Sequence, residues 1–172
     1  MATTGRIKAA SLAINNGADC AALLSKLRKE QQENAYGVAT DSKGTVLEVH
    51  RYTKGIKAGA PIEPVDFVGP ALEHPDLAHL YFVHNHPSRS PFPSQQDVEL
   101  VNAIDGLLSP NGIKLTNVIV AGTRYAEFDL GGAVKDSGQI PAQVKKHKIP
   151  VKERRLVPLE GPGQAVSSPT DA

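Results

Sequence analysis

The sequence predicts an α/β domain built on a mixed sheet, and three observations carry that prediction. Helix-period and strand-period apolar patterns alternate along the chain. The first two strand patterns are joined by a short polar turn, which makes an antiparallel hairpin and excludes a purely parallel sheet. The length of 172 residues, with 40% hydrophobic and 22% charged content, suits one soluble domain with a core of ordinary size.

The elements follow in order. Residues 18–32, ADCAALLSKLRKEQQ, place Ala21, Leu24 and Leu27 on one face and Lys26, Arg28, Lys29 and Glu30 on the other, so they predict a helix with Asp19 as its N-cap. Tyr36–Thr40 and Thr45–His50 are β-prone runs around the turn Asp41-Ser42-Lys43-Gly44, and they predict the hairpin. Pro64 to Glu73 carries Val65, Val68, Ala71 and Leu72 at helical spacing, with Pro70 set against one continuous helix. Ala78–Val83 reads as a buried strand that runs directly into His84. Ser94 opens a helix with the stripe Val98, Val101, Ile104, Leu107 and Leu108, and Ser109-Pro110-Asn111-Gly112 stops it. Ile113–Ala121 predicts a strand ended by Gly122, and Tyr125–Leu130 a further short one before Gly131-Gly132. Past about Asp136 the periodicity fades, and the end of the chain is expected to be a flexible tail rich in proline.

Net charge is +1, which gives the whole molecule no strong preference for nucleic acid or membrane. The charge is uneven, because residues 135–155 hold seven Lys/Arg against two acidic residues. A single cysteine, Cys20, excludes an intramolecular disulfide and a cysteine-based zinc site. The apolar runs are short, with none of transmembrane length, and MATTGRIKAASLAINNG holds no continuous apolar core of signal-peptide type. A cytoplasmic protein is the expectation.

The stretch with the most chemistry is HNHPSRSPFPSQQD, His84 to Asp97. On an extended strand end His84 and His86 point the same way. A proline-stiffened loop can then return Asp97, one turn into the next helix, beside them. Two imidazoles and one carboxylate leave an open fourth position, which is the usual arrangement of a hydrolytic zinc. Such a site also needs a proton-shuttling carboxylate and an oxyanion donor. Ser94, on the same helix end, is a candidate for the donor. Alone, Ser94-x-x-Asp97 is more often a capping box, a device of helix stability.

The pattern H-x-H, seven residues, S-x-x-D resembles the JAMM signature of JAB/MPN metalloproteins, and the run H-N-H-P-S resembles the RadC branch of that family. The branch usually has Gly-Asp where Arg89-Ser90 stand here, a change that touches no ligand position. Glu33–Asp41, ENAYGVATD, resembles the segment that opens with the family's upstream glutamate. Gly112–Gly122 resembles a further family segment, with Asn117-Val118 in place of Asp-His. The resemblance covers roughly residues 20–132.

It implies a three-layer α/β/α fold, cytidine-deaminase-like, with a mixed central sheet and one Zn2+ held by His84, His86 and Asp97. It implies Glu33 as general base, with Glu48 as the runner-up, and Ser94 as oxyanion donor. The expected organisation is an N-terminal extension over residues 1–17, the JAB/MPN domain over 18–135 and a basic, proline-rich tail over 136–172. The implied function is a zinc metallopeptidase or isopeptidase acting on a protein or peptide, including ubiquitin-like or sulfur-carrier-like proteins. The alternative is a DNA-binding protein of repair or mobile-element type, contacting DNA through Lys145, Lys146, Lys148, Lys152, Arg154 and Arg155. A noncatalytic scaffold needs a fourth zinc ligand, for which only His79 or His50 offers itself, and no spacing recommends either.

Overall fold

Hydrogen bonding organises the chain around one eight-stranded sheet with strand order β1-β8-β3-β2-β4-β5-β6-β7. A computed structural model describes residues 3–9, 13–25, 27, 33–54, 63–88, 90–142 and 147–156. The elements are β1 (Thr3–Ala9), α1 (Gly17–Leu23), β2 (Ala35–Thr40), β3 (Val46–Lys54), α2 (Pro64–Leu72), β4 (His79–Asn85), α3 (Gln95–Leu108), β5 (Lys114–Ala121), β6 (Arg124–Phe128), β7 (Val134–Gln139) and β8 (His147–Leu156). The sheet is mixed, as expected. The pairs β3/β8 and β4/β5 are parallel and the others antiparallel.

The β2–β3 hairpin turns where predicted. Asp41 Oδ1 accepts the amides of Lys43 and Thr45, both at 2.9 Å, and Gly44 takes the left-handed backbone that closes the turn (φ 82°). Strand β2 lies at the centre of the sheet and is buried along its whole length. Its Gly37 admits the rings of Phe67 and Tyr52, which a Cβ there would meet at 3.2 and 3.3 Å.

The two faces of the sheet carry separate cores. On one, α1 and the residues after it (Cys20, Ala21, Leu24, Leu27) pack on Val38, Tyr81, Val83 and Val118. On the other, α2 and α3 (Phe67, Ala71, Val101, Ile104, Leu108) cover Ala39, Tyr52, Leu80 and Phe82. Helix α3 matches its predicted stripe at Val101, Ile104 and Leu108, and a 3-10 turn over Ser109–Asn111 with Gly112 at φ 73° ends it. Helix α2 runs on to Leu72 through Pro70, which has no amide hydrogen to give the Asp66 carbonyl.

Two expectations are corrected. The first helix runs over Gly17–Leu23, not 18–32, and its N-cap is Asn16, whose side chain accepts the Asp19 amide at 2.9 Å. Asp19 is instead the acid of the first turn, and its Oδ2 accepts the Asn15 amide at 2.9 Å. Residues 26 and 28–32 of that expected helix lie outside the described residues. The fading of structure after Asp136 is also corrected. Strand β7 continues the sheet at one edge, and β8 pairs with both β1 and β3, so residues 3–9 and 147–156 add strands beyond the span 18–135. Ile149 and Val151 are buried on the α1 face with exposed Pro150 between them, the alternation of a strand. The expected flexible end, residues 157–172, lies outside the described residues. Among the described residues, no helix is long and apolar enough to cross a membrane.

Candidate metal centre

Strand β4 delivers the histidines. Its residues alternate between faces, so Leu80, Phe82 and His84 point toward α2 and α3 while Tyr81 and Val83 point toward α1. His84 is 1% exposed and its ring lies 4.9 Å from that of Phe82. His86 follows one residue past the strand, where its amide bonds the Val120 carbonyl at 2.9 Å and extends the pairing with β5.

Helix α3 delivers the carboxylate. Ser94 caps it in a capping box: the Ser94 Oγ accepts the Asp97 amide at 3.1 Å and Asp97 Oδ2 accepts the Ser94 amide at 2.9 Å. The cap therefore fixes Asp97 at the position that faces the histidines. Asp97 Oδ2 lies 3.1 Å from His86 Nε2 and 3.6 Å from His84 Nε2. One donor atom from each of the three residues falls within 4.8 Å of the others.

The three side chains fit a metal ion. Both ring nitrogens of His84 are buried without a hydrogen-bond partner, and an ion at Nε2 would satisfy the one that faces Asp97. His86 Nδ1 donates to the Ser90 carbonyl at 2.9 Å, which leaves the Nε2 lone pair facing Asp97 in the tautomer that binds metals. Burial disfavours the charged form of Asp97, but the imidazoles of His84 and His86 and the Ser94 amide outweigh it and hold the carboxyl well below its usual range. Burial likewise opposes protonation of His86 and is outweighed by Asp97, the Ser90 carbonyl and Glu33, so its imidazole is more basic than usual. A zinc-class ion bound here takes the place of that proton, because its histidine ligands bind in the neutral form and its carboxylate ligand in the ionised form.

Glu33 comes near this group through the pairing of β2 with β4. Strand β2 pairs with β4 with Ala35 opposite His84, so Glu33, two residues earlier, comes to the level of His86. Its charge acts on the His86 ring. The junction is pinned by Asn85, whose Oδ1 accepts the Asn34 amide at 2.6 Å and whose amide bonds the Asn34 carbonyl at 3.4 Å. No local pattern singles out Asn85, because only the strand pairing reveals its partner.

The runner-up residues lie elsewhere. Glu48 and His50 on β3 stand two strands away from His84, and four and two residues along the sheet, where they face His74. His79 points to the opposite face, its ring stacked 4.0 Å from Tyr81. Of the basic residues near the end of the chain, Lys148, Lys152, Arg154 and Arg155 belong to β8, while Lys145 and Lys146 lie outside the described residues.

Comparison with known proteins agrees with this geometry. The family model of the RadC-like JAB domain matches residues 14–132. A UPF0758 protein of Desulforudis audaxviator is 28% identical over 111 residues, 64% of this chain and 48% of that protein. A UPF0758 protein of Syntrophotalea carbinolica is 28% identical over 97 residues, 56% of this chain and 42% of that one. One of Marinobacter nauticus is 31% identical over 100 residues, 58% of this chain and 44% of that one. The chain thus spans about half the length of the curated relatives it matches. With its family model covering most of the chain and the H-x-H and S-x-x-D elements folded together, the protein belongs to the RadC-like JAB domain family.

Proposed function

We propose that this protein is a zinc-dependent peptidase or isopeptidase that hydrolyses an amide bond in a protein or peptide, with ubiquitin-like and sulfur-carrier-like proteins as the substrate class. The observation that carries the reading is the convergence of His84, His86 and Asp97 with Glu33 alongside. A helix on one face of the mixed sheet and two on the other support the three-layer, cytidine-deaminase-like arrangement implied by the family resemblance.

A zinc ion held by these three side chains would polarise an amide carbonyl and make a water acidic enough to attack near neutral pH. Glu33 accepts the proton of the attacking water and delivers it to the leaving nitrogen as the C–N bond breaks. Ser94 Oγ accepts the Asp97 amide and still has its own O–H to donate, so capping and oxyanion stabilisation are compatible roles. The N-terminus of α3 adds partial positive charge in the same place.

The test is metal content together with cleavage of a panel of ubiquitin-like fusions and C-terminally extended peptides. Glu33→Gln is expected to keep the metal and lose turnover, roughly 10²-fold or more. A metal-loaded Glu33→Gln variant that cleaves at the wild-type rate removes the mechanism.

A further inference from the structure

We propose that Glu48, His50 and His74 form a second binding site for a divalent transition-metal ion, one that ties the end of α2 to β3 separately from the site at His84, His86 and Asp97. Donor atoms of the three residues lie within 4.8 Å of one another. Glu48 and His50 sit at i and i+2 on β3 and so share a face. His74 follows α2 and leans onto the same carboxylate. The two oxygens divide the work: Oε2 contacts His50 Nε2 and Oε1 contacts His74 Nε2.

The hydrogen bonding around His50 favours the metal-binding tautomer. Tyr52 spends its hydroxyl proton on the Phe67 carbonyl at 2.8 Å, so its oxygen faces His50 Nδ1, at 3.3 Å, as an acceptor. Nδ1 then carries the imidazole hydrogen, and the Nε2 lone pair points at an anionic carboxylate. Two lone pairs meeting in a buried place need a cation between them, either a proton or a metal ion. Two imidazoles and one carboxylate make a donor set for zinc and its neighbours rather than for calcium or magnesium. His74 is 28% exposed, which leaves the site open to ions from solvent.

The two sites are independent. His50 and His84 lie two strands and two residues apart on one face, roughly 12 Å by sheet spacing, far beyond a shared two-metal centre. Among the described residues, Lys152, whose Nζ lies 3.5 Å from Glu48 Oε2, is a competing cation. The alternative to a metal site is a network in which protons and basic side chains, Lys152 among them, neutralise Glu48.

Zinc or cobalt(II) stoichiometry on purified variants of this 172-residue chain decides between them. Two ions per chain are expected in the wild type, one in His74→Ala, one in His86→Ala and none in the double variant. The wild type with one ion that is lost in His86→Ala and kept in His74→Ala overturns the proposal. So does a second ion that His74→Ala retains. A single wild-type ion lost in His74→Ala and kept in His86→Ala supports this site and overturns the one at His84. Melting gives a readout free of activity: zinc at about 100 times its Kd raises the Tm of His86→Ala by roughly 5–10 °C and leaves the double variant unmoved. Lys152→Met removes the competing charge and is expected to tighten binding roughly fivefold. Unchanged melting of His86→Ala with zinc overturns the site.

Discussion

Asp97 Oδ2 touches His86 Nε2 at 3.1 Å and the Ser94 amide at 2.9 Å, so one oxygen serves both the candidate metal centre and the cap of α3. The two duties can be separated. An Asn at 97 keeps an acceptor for the Ser94 amide but loses the charge, whereas an Ala loses both. Asp97→Asn is expected to lower metal affinity 100-fold or more, by order of magnitude, and to cost the metal-free protein the stability that its depressed carboxyl carries at neutral pH. Asp97→Ala is expected to lose the metal and a further ~1 kcal/mol of helix capping. Metal content after dialysis and urea unfolding in chelator check the pair; equal unfolding midpoints would show that the cap contributes nothing.

Asn85 holds the start of β2 against the end of β4 through the 2.6 Å bond to the Asn34 amide, and Glu33 is the next residue out. Asn85→Ala is therefore expected to cost about 1–3 kcal/mol and to displace Glu33 from His86. Hydrolysis should fall roughly tenfold while metal content stays at the wild-type level. Loss of metal in parallel with activity would place the role of Asn85 in the ligands and not in the general base.

The parts of the fold and site that could be read in advance are those where local chemistry and tertiary structure agree. The H-x-H pair was legible because β4 ends where its apolar run ends, and Asp97 because the capping box that fixes it is local. Helix α3 was legible from its stripe. Strands β7 and β8 were not. Strand β7 is exposed along nearly its whole length and carries no alternation to read. In β8 the apolar pair Ile149 and Val151 is split by Pro150 and surrounded by lysines and arginines, which reads as a solvated tail until β1 and β3 flank it. The cap of α1 was misplaced because Asn15, Asn16 and Asp19 are all good caps, and only the backbone distinguishes them. The convergence of His74 on Glu48 spans 26 residues and crosses a helix, beyond any local pattern.

Gly37 gives a packing test that involves no site ligand. Its missing Cβ makes room for Phe67 and Tyr52, whose rings lie 4.5 Å apart, and Phe67 in turn sits 5.0 Å from Phe82. Gly37→Ala pushes on both rings at 3.2 and 3.3 Å and is expected to cost about 1–3 kcal/mol. Phe67→Leu in the same chain removes the tighter of the two contacts and should recover part of that loss. A double-mutant cycle measured by urea unfolding gives the coupling; strict additivity would mean that the rings move aside freely.

His79 gives the pH test. Burial, with Lys114 on the neighbouring strand adding to it, lowers its pKa from 6.5 to about 4, and its Nε2 shares a 2.7 Å hydrogen bond with Thr116 Oγ1 while the ring stacks on Tyr81. The folded protein therefore keeps His79 neutral at pH values where the unfolded chain already binds a proton. By linkage its contribution is fully present above pH 6.5 and is lost as the pH falls from 6.5 toward 4. Allowing for the solvent that reaches the ring, the loss across that window is about 1–2 kcal/mol. His79→Gln keeps a partner for Thr116 without the titration. The wild-type stability should fall toward that of His79→Gln, or below it, between pH 6.5 and 4.5, whereas Asp97 and Glu48, with depressed carboxyls, lose their contributions only in more acid solution. Parallel stability curves for the two proteins over that range would show that His79 is as easily protonated in the fold as in the unfolded chain.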